Sequence, residues 1–129
     1  MKTIKFPALI LIVLFAITCK GQPKMQFDEK HHDFGDQKIE QKLKHTFTFK
    51  NIGTSTLIIE KVKAGWGCTG TLLSSEEIPA GGSGEIEVTL KTGKRTKKLR
   101  KTISIYTNNP DKKNKIVRIT VSANVIDKK

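Results

Sequence analysis

Lys42-Leu43-Lys44-His45-Thr46-Phe47-Thr48-Phe49-Lys50 alternates without a break. Leu43, His45, Phe47 and Phe49 fall on one face, and Lys42, Lys44, Thr46, Thr48 and Lys50 on the other. Successive side chains of a strand point to opposite sides, so this stretch reads as a half-buried β-strand with a wet outer face. The pattern recurs further on. Ile86, Val88 and Leu90 oppose Glu85, Glu87 and Thr89. In the clearest strand, Val117, Ile119, Val121, Ala123 and Val125 share one side.

Weaker strand signals fill the gaps. Met25–Glu29 alternates briefly, and Thr56–Val62 is largely β-branched and apolar. Thr71–Leu73 is short, and Ile103 and Ile105 mark an inward face that ends at Tyr106-Thr107. Phe34 faces the apolar side, and Gly35 is read as turning the chain. Turn clusters separate these runs at Asn51–Ser55, Ile78–Gly84 and Asn108–Asp111. No helical periodicity stands out after the N-terminal leader. About seven short strands at close spacing predict an all-β, antiparallel immunoglobulin-like β-sandwich. Phe47, Phe49, Val88, Ile103, Ile119 and Val121 are its expected core.

The 129 residues suit one domain preceded by a leader. Lys2 and Lys5 precede an apolar run from Phe6 to Ile17. That run is shorter than the roughly 20 residues a transmembrane helix needs, and it fits a secretory signal peptide. Cys19 closes it, as the lipidated cysteine of a bacterial lipoprotein does. Ala16-Ile17-Thr18 departs from the usual lipobox, and the competing reading is cleavage near Gly21 with a soluble secreted product. The expected organisation is a lipoprotein signal peptide over 1–18, a tether over 19–24 and the sandwich over 25–127. The protein is then exported and membrane-anchored through Cys19, in the periplasm or at the cell surface.

The chain carries 24 Lys+Arg against 12 Asp+Glu. Removing Lys2 and Lys5 with the leader leaves 22 cations against 12 acids, a formal charge of +10. Such a surface attracts anionic polymers or head groups. Export argues against nucleic acid as the partner. Much of the excess lies between Lys91 and Lys101, read as a hairpin-like basic connection with Lys94, Arg95, Lys97 and Lys98 as candidate binding residues. Two readings are open: contact with an anionic glycan, lipopolysaccharide or phospholipid, and a solvated loop that discourages edge pairing.

Gly65-Trp66-Gly67-Cys68-Thr69-Gly70 is the other distinctive loop. Trp66, the only tryptophan, is either an exposed anchor for a partner or a plug for one end of the sandwich. Cys68 has no intramolecular partner once Cys19 is lipidated or removed. It is either a small packed residue or a nucleophile, soft-metal ligand or disulfide donor. Met25, His31, His32 and Cys68 have the donor types for Cu(I). Adjacent histidines on a strand diverge, however, so no metal or other cofactor is expected. No carboxylate pair, Ser-His-Asp motif or metal-ligand spacing is evident, so no catalytic residue is assigned and an enzyme is not expected.

Phe34-Gly35, Phe47-Thr48-Phe49-Lys50-Asn51-Ile52-Gly53, Leu57-Ile58-Ile59, Gly67-Cys68-Thr69 and Ile78-Pro79-Ala80-Gly81 occur in this order. The series resembles a bacterial family known as domain of unknown function 1573, over roughly Met25 to Ile126. Its members are exported, often lipidated, single immunoglobulin-like domains, similar in style to the Hydin and major-sperm-protein sandwiches. They typically carry Cys-Gly-Cys-Thr, and here Trp66 replaces the first cysteine, which removes a close thiol pair. The family has no settled activity. The expected function is therefore a non-enzymatic binding or scaffolding module of the envelope, with an anionic glycan, membrane surface or envelope protein as partner. The alternative is a thiol-dependent or copper-handling protein that uses Cys68.

Overall fold

The computed structural model describes residues 21–65 and 68–127. Nine strands form two sheets among them: β1 Met25–Phe27, β2 His31–Lys38, β3 Lys42–Asn51, β4 Leu57–Ala64, β5 Cys68–Leu73, β6 Glu77–Ile78, β7 Ser83–Lys91, β8 Lys97–Thr107 and β9 Ile116–Asp127. One sheet has the order β1-β3-β7-β5, the other β2-β9-β8-β4-β6. All pairs are antiparallel except β2 with β9. Two facing sheets of this kind make the immunoglobulin-like sandwich that the alternating pattern predicts.

The pattern also predicts the core. Phe47, Phe49, Val88, Ile103, Ile119 and Val121 are all buried between the sheets, joined by Leu57, Ile78, Ile86, Leu90 and Ile105. Phe27 packs on both central phenylalanines, with ring centroids 6.3 Å from Phe47 and 5.4 Å from Phe49. Each element that alternates in sequence delivers one apolar stripe inward and one polar stripe outward.

The strands number nine rather than about seven, and the β2–β9 pair is parallel where an antiparallel sandwich was expected. Other features also depart from the sequence reading. His31–Lys38 is a strand, where the sequence alone suggests a turn at Gly35. Gly35 takes a positive φ of 75° at a bulge, where the register to β9 shifts between Asp33 and Asp36. A single helical turn, α1 Lys112–Lys115, fills the connection before β9, capped by the Asp111 side chain on the Lys113 N–H. Finally, Gln22–Lys24 is not a free tether. Gln22 N–H donates to Thr54 Oγ1, Lys24 N–H to Asn51 Oδ1, and Asn109 Nδ2 to the Pro23 carbonyl. The chain is fixed to the sandwich from Gln22 onward, because these backbone groups find partners there rather than in water. Residues 1–20, with the expected leader and Cys19, lie outside the described residues.

Candidate functional site

The topology gives the sandwich two unlike ends. The N-terminal segment, the 52–56 and 79–82 turns and α1 share one end. The other end holds the β2–β3 turn at Ile39–Gln41, the β7–β8 connection and the start of β5. From Lys97 to Thr107 along β8 the two ends are about 34 Å apart.

The second end is basic. Only 92–96 connects β7 to β8, and it crosses from one sheet to the other, so the expected hairpin is absent. Lys97, Lys98, Arg100 and Lys101 belong to β8 itself. The sole apolar residue among them, Leu99, is buried and sets the phase of the strand. Lys97 and Lys101 share its side and line a cleft of about 290 Å³ with Lys91, Lys94 and Arg95. Lys98 and Arg100 line a different cleft on the outer surface, beside Asp33, Ser122 and Asn124. The four candidate cations are therefore divided: Lys94, Arg95 and Lys97 together, Lys98 apart. Charge density hid this, because lysine on both faces erases the alternation.

The platform beneath the cleft is stiff. Buried Thr92 accepts from Gln41 N–H at 2.9 Å and donates its hydroxyl to the Lys38 carbonyl at 2.8 Å. Glu40 N–H donates to the Gly93 carbonyl at 2.7 Å. Two surface turns are thereby clasped into one unit. Among the described residues the Glu60–Lys115 ion pair and the Glu29–His45 contact involve none of the cleft cations. Glu40 lies in a neighbouring shallow cleft with Lys42, Lys91 and Lys94.

Of the glycine-rich stretch, the start of β5 lies at the same end. The chain leaves β4 at Ala64, opposite Ile103, and enters β5 at Cys68, opposite Leu90. Trp66 and the side chain of Cys68 lie outside the described residues. The proposed copper set does not assemble. Met25 is buried opposite Asn51 at the far end of β3, whereas Cys68 pairs at the level of Leu43, about 27 Å away along that strand. His31 faces outward, with Nδ1 2.6 Å from Thr120 Oγ1 and Nε2 3.3 Å from Ser122 Oγ.

A different cluster does form, at the open side of the sandwich. His32 projects from β2, His45 from β3 in the opposite sheet, and Glu29 from the crossover between β1 and β2. The imidazoles of His32 and His45 stack at 3.6 Å with 8° between their planes. Glu29 Oε2 lies 3.2 Å from His45 Nε2. Phe34 and Phe47 wall the pair edge-on. Burial, and then the charge of His45, hold the His32 pKa below the ordinary histidine value. Next to it, the Gly35 N–H on its carboxylate holds Asp33 below the usual carboxylate range. This is the one grouping of His, Cys, Asp or Glu among the described residues that could hold a metal ion. A cleft of about 560 Å³ adjoins Glu29, lined by cations and acids alike. The sequence held one signal for the cluster: His45 sits in phase with Phe47 and Phe49, where an apolar residue is expected.

A family model described as protein of unknown function, DUF1573, matches residues 25–125. The chain belongs to this family. No curated protein matches it. Among solved structures it is similar to a protein of unknown function from Porphyromonas gingivalis W83, with a TM-score of 0.69 and 21% identity over 86% of this chain and 51% of that one. It is also similar to PapD-like domain 7 of human CEP192, with a TM-score of 0.58 and 11% identity over 84% and 89% of the two chains. The Vibrio cholerae protease VesB gives a TM-score of 0.61 at 11% identity, over 91% of this chain and 35% of that one. The DUF1573 chain thus spans about half or less of the bacterial proteins it resembles. At these identities the likeness concerns the fold alone.

Proposed function

We propose that this DUF1573 chain is a non-enzymatic binding module of the cell envelope, anchored by a lipid on Cys19, whose basic end contacts an anionic glycan. The observation that carries the reading is the cleft lined by Lys91, Lys94, Arg95, Lys97 and Lys101, none of them in an ion pair among the described residues. Unpaired cations on a rigid platform recognise anionic polymers through long-range attraction. The anchor argues for a partner beyond the anchoring membrane. Only Lys20 and Gly21 separate Cys19 from Gln22, which bonds to Thr54, a stretch of at most about 10 Å. The basic end is about 34 Å from that attachment, several times the Debye length of about 8 Å.

The test uses full-length protein in neutral vesicles, offered a sulfated polysaccharide. Binding is expected at low salt and is lost as salt rises. Replacing Lys94, Arg95 and Lys97 by serine weakens it strongly, whereas replacing Lys98 and Arg100 does so less. No binding at low salt, or equal losses in the two variants, overturns the reading. Capture that vanishes when the vesicles are made anionic assigns the cleft to the anchoring membrane instead.

A further inference from the structure

We propose that Glu29, His32 and His45 bind one divalent transition-metal ion of the Zn²⁺ type, with solvent completing its coordination. Nothing in the binding reading above requires this site, which lies along the side of the sandwich rather than at its basic end.

The first support is convergence. Three separate elements bring one ligand atom each to within 4.8 Å of one another. A tetrahedral zinc ion with bonds near 2.0–2.1 Å places its ligands roughly 3.4 Å apart. The Glu29–His45 separation of 3.2 Å already matches that edge. His32 has further to move. Stacked rings hold their lone pairs in parallel planes, so His32 tilts out of the stack to complete the set. It stands on β2, an edge strand, where a ring rotation displaces no core residue.

The donor chemistry narrows the ion. Two imidazoles and one carboxylate suit zinc, nickel and copper, whereas calcium and magnesium take oxygen ligands. Access is open, since the Glu29 side chain is 47% exposed and that of His45 21% exposed. The local charge also suits a cation. The 28–36 stretch carries Asp28, Glu29, Asp33 and Asp36 against Lys30 alone, in a chain whose cations outnumber its acids two to one.

Such an ion joins the two sheets where the chain crosses between them. His45 comes from the sheet of β1, β3, β7 and β5, and His32 from the sheet of β2 and β9. Binding to the folded state alone raises its stability by mass action.

The experiment titrates metal-stripped full-length protein with Zn²⁺ by calorimetry and follows melting temperature. Co²⁺ serves as a spectroscopic probe of low-coordinate geometry. One saturable site and a raised melting temperature are expected, with Mg²⁺ unable to compete. Glu29→Gln, an exposed change that leaves the fold intact, weakens binding by at least roughly tenfold, and His45→Gln by more. His31→Gln and Cys68→Ser leave binding unchanged. No saturable site at a tenfold molar excess of Zn²⁺ overturns the proposal. So does binding that survives both Glu29→Gln and His45→Gln, and so does binding that Cys68→Ser abolishes.

Discussion

Asn51 shows how one residue can hold a whole end of the sandwich together. It is fully buried at the C-terminal end of β3. Its Nδ2 donates to the carbonyls of Ser55 at 2.8 Å and Ile78 at 2.9 Å. Its Oδ1 accepts from Lys24 N–H at 3.1 Å and Gly53 N–H at 3.0 Å. Both amide donors and both acceptor sites are used, and they tie the N-terminal segment, the 52–55 turn and β6 to one point. Alanine here leaves several backbone groups without partners, the buried Ile78 carbonyl among them. Asn51→Ala is expected to cost about 2–4 kcal/mol, read as a shift of the urea unfolding midpoint. Asn51→Asp keeps the acceptors but loses both donors and buries a charge, so it fares no better. A midpoint unchanged in either variant means that the network carries no net stability.

Between elements, the packing of the Phe49 ring and of Ile78 over β7 depends on a missing side chain. Gly84 pairs with Phe49, and a Cβ at residue 84 would stand 2.5 Å from Phe49 Cζ and 3.0 Å from Ile78 Cδ1. Both neighbours are buried and have no solvent to swing into. The requirement is steric, since Gly84 is not among the positive-φ glycines. Gly84→Ala is therefore expected to destabilise the domain by about 1–3 kcal/mol through overpacking, measured by thermal melting. A wild-type melting temperature in that variant means that the Phe49 ring and Ile78 shift aside easily. The parallel contact of β2 with β9 is an element of another kind. It joins residues about 90 positions apart, as in His31 with Thr120, and no local pattern announces it.

For the whole molecule, what matters is which end is attached. The N-terminal segment is zipped to the sandwich from Gln22, so under the lipoprotein reading proposed above the domain would have little freedom about a lipid on Cys19. Cys19→Ala is expected to abolish acyl labelling and move the protein from the membrane to the soluble fraction. Mature protein that begins beyond Cys19 without lipid removes the anchor, and with it the argument for an outward-facing basic end. The salt-dependent glycan binding can survive that result, because the cleft of Lys94, Arg95 and Lys97 exists without the lipid.

The sequence by itself determined the class of fold and most of the core. Alternation is a local property, and each of Phe47, Val88, Ile103 and Val121 lies in a run that alternates on its own. It also marked the basic stretch, since charge density needs no partner to be visible. Only the tertiary structure decided how those cations divide. Leu99 takes its place in the core only once β8 pairs with β9, and that places Lys97 and Lys101 on one side and Lys98 and Arg100 on the other. The Glu29, His32 and His45 cluster was illegible for the same reason. His32 and His45 belong to different sheets, and spacing along the chain says nothing about which side chains two facing sheets bring together.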